Sequence, residues 1–189
     1  MRYDVKFGNI RFAHLKGTRY GMVYKSLVES KRLYSVDKEA SCARLRKALE
    51  ALLDELFAIT GTLKMKQQSL LANLHILKEA IPEKLRIYEG EDIFIEMHNI
   101  RVHGNNGAHH NSRGTKDIDK ATHASWIAAK KICGWVETFE RNYDEYKNPR
   151  KKGTQPSKSK GMIGTIIYGC IIIAVLAAIS ILVVKYFKI

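Results

Sequence analysis

The chain has 189 residues and a formal net charge of +13, enough for one ordinary domain and its accessories. Its three cysteines, Cys42, Cys133 and Cys170, are widely spaced and form no CxxC pair, which argues against a disulfide framework and fits a reducing compartment. The positive charge suggests nucleic acid less than it first promises: Lys147–Lys160 carries six basic residues and no acid, and Lys185 and Lys188 add two more, which leaves +5 on residues 1–146.

In chain order, MRYDVKFGNIRF lacks the apolar run of a secretory signal, and YDVKF reads as a short strand or an extended arm. A helix is expected around Met22–Leu33. The clearest helix lies near Asp37–Thr60, where Leu45, Ala48, Leu49, Leu52, Leu53, Leu56 and Ile59 recur at the spacing of one buried face. Asp37 or Ser35 can cap its start, and Gly61 can end it. A helix over Ser69–Ala80 stops at Pro82, which lacks an amide donor and restricts the residue before it. Another spans Asp92–His103, with Gly104 as the left-handed residue that ends it and Asn106-Gly107 as a turn. The last long helix runs near Asp117–Tyr146, with Ile132, Val136, Phe139 and Tyr143 on one stripe. Trp126, Trp135 and Phe139 read as core or dimer surface rather than as a platform for stacked bases. With no βαβ alternation and no repeat, the expected fold class is all-α: a helical bundle plus one C-terminal transmembrane helix.

That last element is Met162–Val184, an uncharged run of 23 residues. As a helix rising about 1.5 Å per residue it crosses a hydrocarbon core of about 30 Å. The basic flank KNPRKKGTQPSKSK before it, against two lysines after it, places the N-terminal side in the cytoplasm by the positive-inside tendency. The reading is a single-pass protein of the cell inner membrane. Its parts are an N-terminal arm and first helix (1–36), a domain core (37–146), a basic flexible tether (147–161), the span (162–184) and a short tail (185–189). Cys170, Ala174 and Ala178 repeat every four residues on the span, a spacing that lets two helices approach in lipid and that also arises by chance in an apolar run.

The densest unusual chemistry is Asn99–Arg113, which holds two arginines, three histidines and four asparagines between two expected helices. The order Arg101-x-x-Gly104-Asn105-x-x-Ala108-His109 resembles the signature of a HEPN-like helical domain family of unknown function, found alone and joined to type I restriction and helicase subunits. Asp37–Glu50 is similar to the family's first core helix, and the resemblance covers roughly Tyr24–Tyr143. It implies a helical bundle that dimerises and, in many active members, a metal-independent ribonuclease with no cofactor. There an arginine and a histidine, four to six residues apart, meet those of a second protomer. Carried over, Arg101 stabilises charge on the scissile phosphate, His109 moves the proton of the 2′-hydroxyl or of the leaving group, and Asn105 positions phosphate or side chain. Asn105, His110 and Arg113 would contact RNA. Two departures stand out: seven residues separate Arg101 from His109, and Val102 stands where active members commonly carry a polar residue.

The implied partners are membrane lipid, RNA, a second copy of the chain and a protein of a prokaryotic defence or stress system. Plainer readings coexist with these. An arginine in a last helical turn can serve terminal carbonyls, Gly-Asn can be a helix stop, and a buried His109 can be a core hydrogen-bonder. His98, His103, His109 and His110 could ligate a metal, but no HExxH or cysteine partner accompanies them, and no metal site is expected. The alternative to an RNA-directed function is a non-catalytic oligomeric module that scaffolds or perturbs the membrane.

Overall fold

A computed structural model of the chain describes residues 10–65, 68–108 and 115–149. The expected span, the tether beyond Pro149 and the YDVKF segment lie outside the described residues, as do His109, His110 and Arg113. Among the described residues no helix is long and apolar enough to cross a membrane.

Six α-helices account for most of the described residues: α1 (Gly21–Leu33), α2 (Lys38–Thr60), α3 (Leu70–Ala80), α4 (Glu83–Arg86), α5 (Ile93–Ala108) and α6 (Thr115–Lys147). The fold is therefore mostly helical. One departure from an all-α chain is a small hairpin, β1 (Ile87–Tyr88) and β2 (Glu91–Asp92), paired antiparallel with Tyr88 opposite Glu91. Its two-residue turn puts Glu89 at φ 52° and Gly90 at φ 82°. Positive φ at both central residues matches the twist of the flanking strands.

The leucine stripe of α2 sits where its spacing puts it. Leu45, Leu49, Leu52, Leu53 and Leu56 are all buried, and α2 packs against α1, α3, α5 and α6. Asp37 caps the helix: its Oδ1 accepts from the Ala40 amide at 2.9 Å. Gly61 ends it at φ 70°, a left-handed conformation that costs glycine nothing sterically. Asp37→Ala should cost about 1 kcal/mol of stability, read from a denaturant midpoint; an unchanged midpoint would show that the exposed cap adds nothing.

The long helices are also tied by polar groups inside the core. Ser30 Oγ donates to Ser41 O at 2.8 Å, Ser41 Oγ donates to Ser30 O at 2.9 Å, and both serines are fully buried. The Trp126 indole N–H of α6 joins them by donating to Ser41 Oγ at 3.3 Å. Further along α6, Trp135 donates to Leu85 O at 2.8 Å and packs on Phe139. Both tryptophans are therefore core residues. Cys42 and Cys133 are buried free thiols, the second pushed up to about 12 by burial, so neither is a ready nucleophile.

The first helix packs along α2 and contributes Val23 and Leu27 to the common core. The described helices all belong to one compact unit that ends at Lys147.

Candidate functional site

The signature segment lies on α5, which enters the bundle at Ile93 with the Phe94 amide donating to Asp92 Oδ1 at 3.0 Å. Ile93, Met97 and Ile100 turn inward and fix the rotation of the helix. A stripe along its flank carries His98, Arg101 and Asn105, spaced at helical i, i+3 and i+7.

Gly104 does not end this helix, and Asn106-Gly107 is not a turn: α5 runs through both to Ala108. Gly104 is buried against α2, and a Cβ built there would stand 2.6 Å from the Cβ of Arg46. The glycine serves close approach between two helices rather than a left-handed backbone. Sequence alone cannot separate these two uses, because both ask only for a missing side chain.

Asn105 is held from α2. Arg46 Nη1 donates to Asn105 Oδ1, while Arg46 Nε pairs with Glu50 at 3.1 Å. The spacing pattern gave no sign of this contact, since Arg46 and Asn105 lie on different helices.

Arg101 is half-buried. Arg19, Arg44, Arg46 and Arg86 each meet a carboxylate, whereas Arg101 forms no ion pair among the described residues. Its Nε is shielded from solvent without an acceptor. Its Nη2 lies 3.3 Å from His98 Nε2, one turn back on the same helix. Because the guanidinium can only donate, that imidazole nitrogen accepts and the His98 proton sits on Nδ1. Partial burial, then the nearby Arg101 and the His75 ring, hold the His98 pKa below its ordinary value. Near neutral pH it is an uncharged base beside a cation. Among the described residues no hydrogen bond joins Arg101 to Asn105.

His98 also lines a groove of about 220 Å³ between α3 and α5, together with His75, Lys78, Phe94 and Ile95. One edge is thus basic and imidazole-bearing, and the floor is apolar. Among the described residues no three side chains of His, Cys, Asp or Glu gather as they would around a metal ion. The structure puts Arg101 and Asn105 on one face and adds His98 and Arg46, which the sequence reading did not include among the site residues. His98 had a legible signal: it stands three residues before Arg101 on an amphipathic helix.

Fold and site together describe a mostly helical domain with a basic, histidine-bearing helix face buttressed by its central helix. Residues 28–149 match the family described as domain of unknown function (DUF4145), and the chain belongs to that family. No curated protein and no solved structure matches the chain.

Proposed function

We propose that this chain is a HEPN-like protein whose α5 face binds RNA and, with a second copy of the chain, cleaves it without a metal ion. The observation that carries the reading is Arg101: a half-buried guanidinium with no carboxylate partner among the described residues and an uncharged imidazole beside it. A cation placed this way is suited to a phosphate, whose oxygens accept its N–H groups as a carboxylate would. In this reading His109 is the proton-transfer group, and Asn105, His110 and Arg113 contact RNA. The hydropathy of Met162–Val184 supports a single-pass anchor in the inner membrane with the domain on the cytoplasmic side, and an accessory or effector role in prokaryotic defence fits that placement.

A second reading is a non-catalytic oligomeric scaffold. It is favoured by Asn105, whose amide is already engaged by Arg46 in the way a packing contact requires.

The test is an RNA-integrity assay with the full chain and with a chain lacking residues 162–189. Cleavage through a 2′-hydroxyl is expected to survive EDTA and to spare DNA, which lacks that hydroxyl. The shortened chain is expected to leave the membrane fraction and still cut RNA. Persistent pelleting after a high-salt wash would sink the anchor. Activity that needs the tail but neither Arg101 nor His109 would sink the nuclease and leave the scaffold.

A further inference from the structure

The helices α2 and α6 run in the same direction and finish together. Trp126 meets Ser41 near their starts, and at their ends Lys147 Nζ donates to Thr60 O at 3.3 Å. One end of the bundle therefore carries both the α2–α3 loop and the point where the chain leaves α6. In that loop Leu63 and Met65 are 86% and 62% exposed, and Tyr146 in the last turn of α6 is 45% exposed. Lys64 lies between the two apolar residues, Lys84 Nζ stands 4.6 Å over the Tyr146 ring, and Lys147 Nζ stands 5.3 Å over the Tyr143 ring. Lys64 meets Asp54, whereas Lys84 and Lys147 form no ion pair among the described residues. Asp144 and Glu145 share that last turn, and Arg150, Lys151 and Lys152 follow directly in sequence.

Exposed aliphatic, tyrosine and lysine side chains in one place suit a lipid surface. Aliphatic groups enter the boundary between headgroups and acyl chains, and tyrosine sits at that boundary. Lysine lays its stem along apolar neighbours and keeps its ammonium among anionic headgroups. The position of the patch selects lipid over another protein, because this is the end from which the chain continues toward the apolar run Met162–Val184. The fourteen residues 148–161 between them reach at most about 50 Å. Within that reach the patch meets a bilayer at high effective concentration, so two apolar side chains are enough to hold it there.

We propose that this end of the bundle rests on an anionic bilayer surface, with Leu63 and Met65 entering it. The inference rests on the membrane anchor proposed above and not on the RNA-binding reading. It also sets where the α5 face stands. Arg46, which holds Asn105, lies fourteen residues before Thr60 on α2, about 21 Å along a helix. With α2 upright on the surface, Asn105 stands about that far from the lipid and open to the cytoplasm.

The experiment reconstitutes the full chain in vesicles of phosphatidylcholine and phosphatidylglycerol that contain a nitroxide-bearing lipid, with a fluorophore on one cysteine at a time. Cys42 and Cys133 are buried and stay unlabelled. A label on Cys170 reports the anchor. Labels on Leu63→Cys and on Val36→Cys, each combined with Cys170→Ser, report the two ends of α2, Val36 being 83% exposed. The label at position 63 is expected to be quenched by the nitroxide lipid and the label at position 36 is not. Met65→Asp added to the Leu63→Cys protein should weaken that quenching and leave the melting temperature unchanged, since Met65 is exposed. Quenching at 170 without quenching at 63, or equal quenching at 63 and 36, would overturn the docked end and leave the anchor standing. Quenching at 63 but not at 170 would keep the lipid contact and remove the anchor. No quenching at either position would remove both.

Discussion

Gly104→Ala is expected to destabilise the bundle, although alanine is the better helix former by about 1 kcal/mol. The added Cβ would stand 2.6 Å from Arg46 Cβ and 3.3 Å from both Arg46 Cγ and Cδ. The nearest of these atoms is fixed to the α2 backbone and cannot swing aside. Inserting carbon into such a contact typically costs about 1–3 kcal/mol, so the steric term outweighs the gain in propensity. Gly104→Val adds two further carbons with little gain in propensity, and should cost about 3 kcal/mol. Denaturant midpoints measure both. Arg46 supplies the control: Arg46→Ala keeps the offending Cβ and should not rescue Gly104→Ala, whereas Arg46→Gly removes it and should. A higher midpoint for Gly104→Ala would mean that α2 and α5 approach less closely than described. By contrast, a Cβ at Gly134 would meet the hydroxyl end of Tyr88, which can rotate away.

The second large effect concerns RNA turnover under the proposed function. His109→Ala should lower turnover by about 10²–10⁴-fold while leaving affinity for RNA little changed, since a general acid or base acts in the transition state. Arg101→Ala should lower both, because a guanidinium holds phosphate in the ground state as well. His98→Gln provides the internal comparison: it keeps an acceptor near Arg101 and removes the imidazole. If His98 only positions Arg101, this variant keeps most of the activity; if it moves a proton, turnover falls as it does for His109→Ala. Single-turnover rates and binding isotherms at matched protein levels separate these outcomes. Full activity in both Arg101→Ala and His109→Ala would discard catalysis on α5.

How much of this was legible follows from where each signal resides. The long helices were readable because their information is local: a stripe at Leu45, Leu49, Leu52 and Leu56 between a capping Asp37 and a terminating Gly61 states both register and ends. The end of α5 was misread because Gly104 and Asn106-Gly107 are ordinary stop signals, and only packing against Arg46 shows that the first glycine answers a different need. The hairpin escaped notice because strands of two residues are too short for alternation to show, and Glu89-Gly90 is a weak turn signal beside Asn-Gly or Asp-Gly. Arg101 and Asn105 share one face of α5. The hold of α2 on the Asn105 amide depends on Arg46, 59 residues away in sequence.

The two indole hydrogen bonds of α6 also bear on how the domain is made. Trp126 reaches back 85 residues to Ser41, Trp135 reaches back 50 to Leu85, and Lys147 contacts Thr60 O across 87. Every one of these closures waits for the last helix. During synthesis, α1, α2 and α5 leave the ribosome with one apolar side uncovered, and the core cannot close until α6 is free to dock. For that interval the nascent chain shows an apolar surface that the finished domain hides, so cells short of chaperones should lose this protein before it folds rather than after.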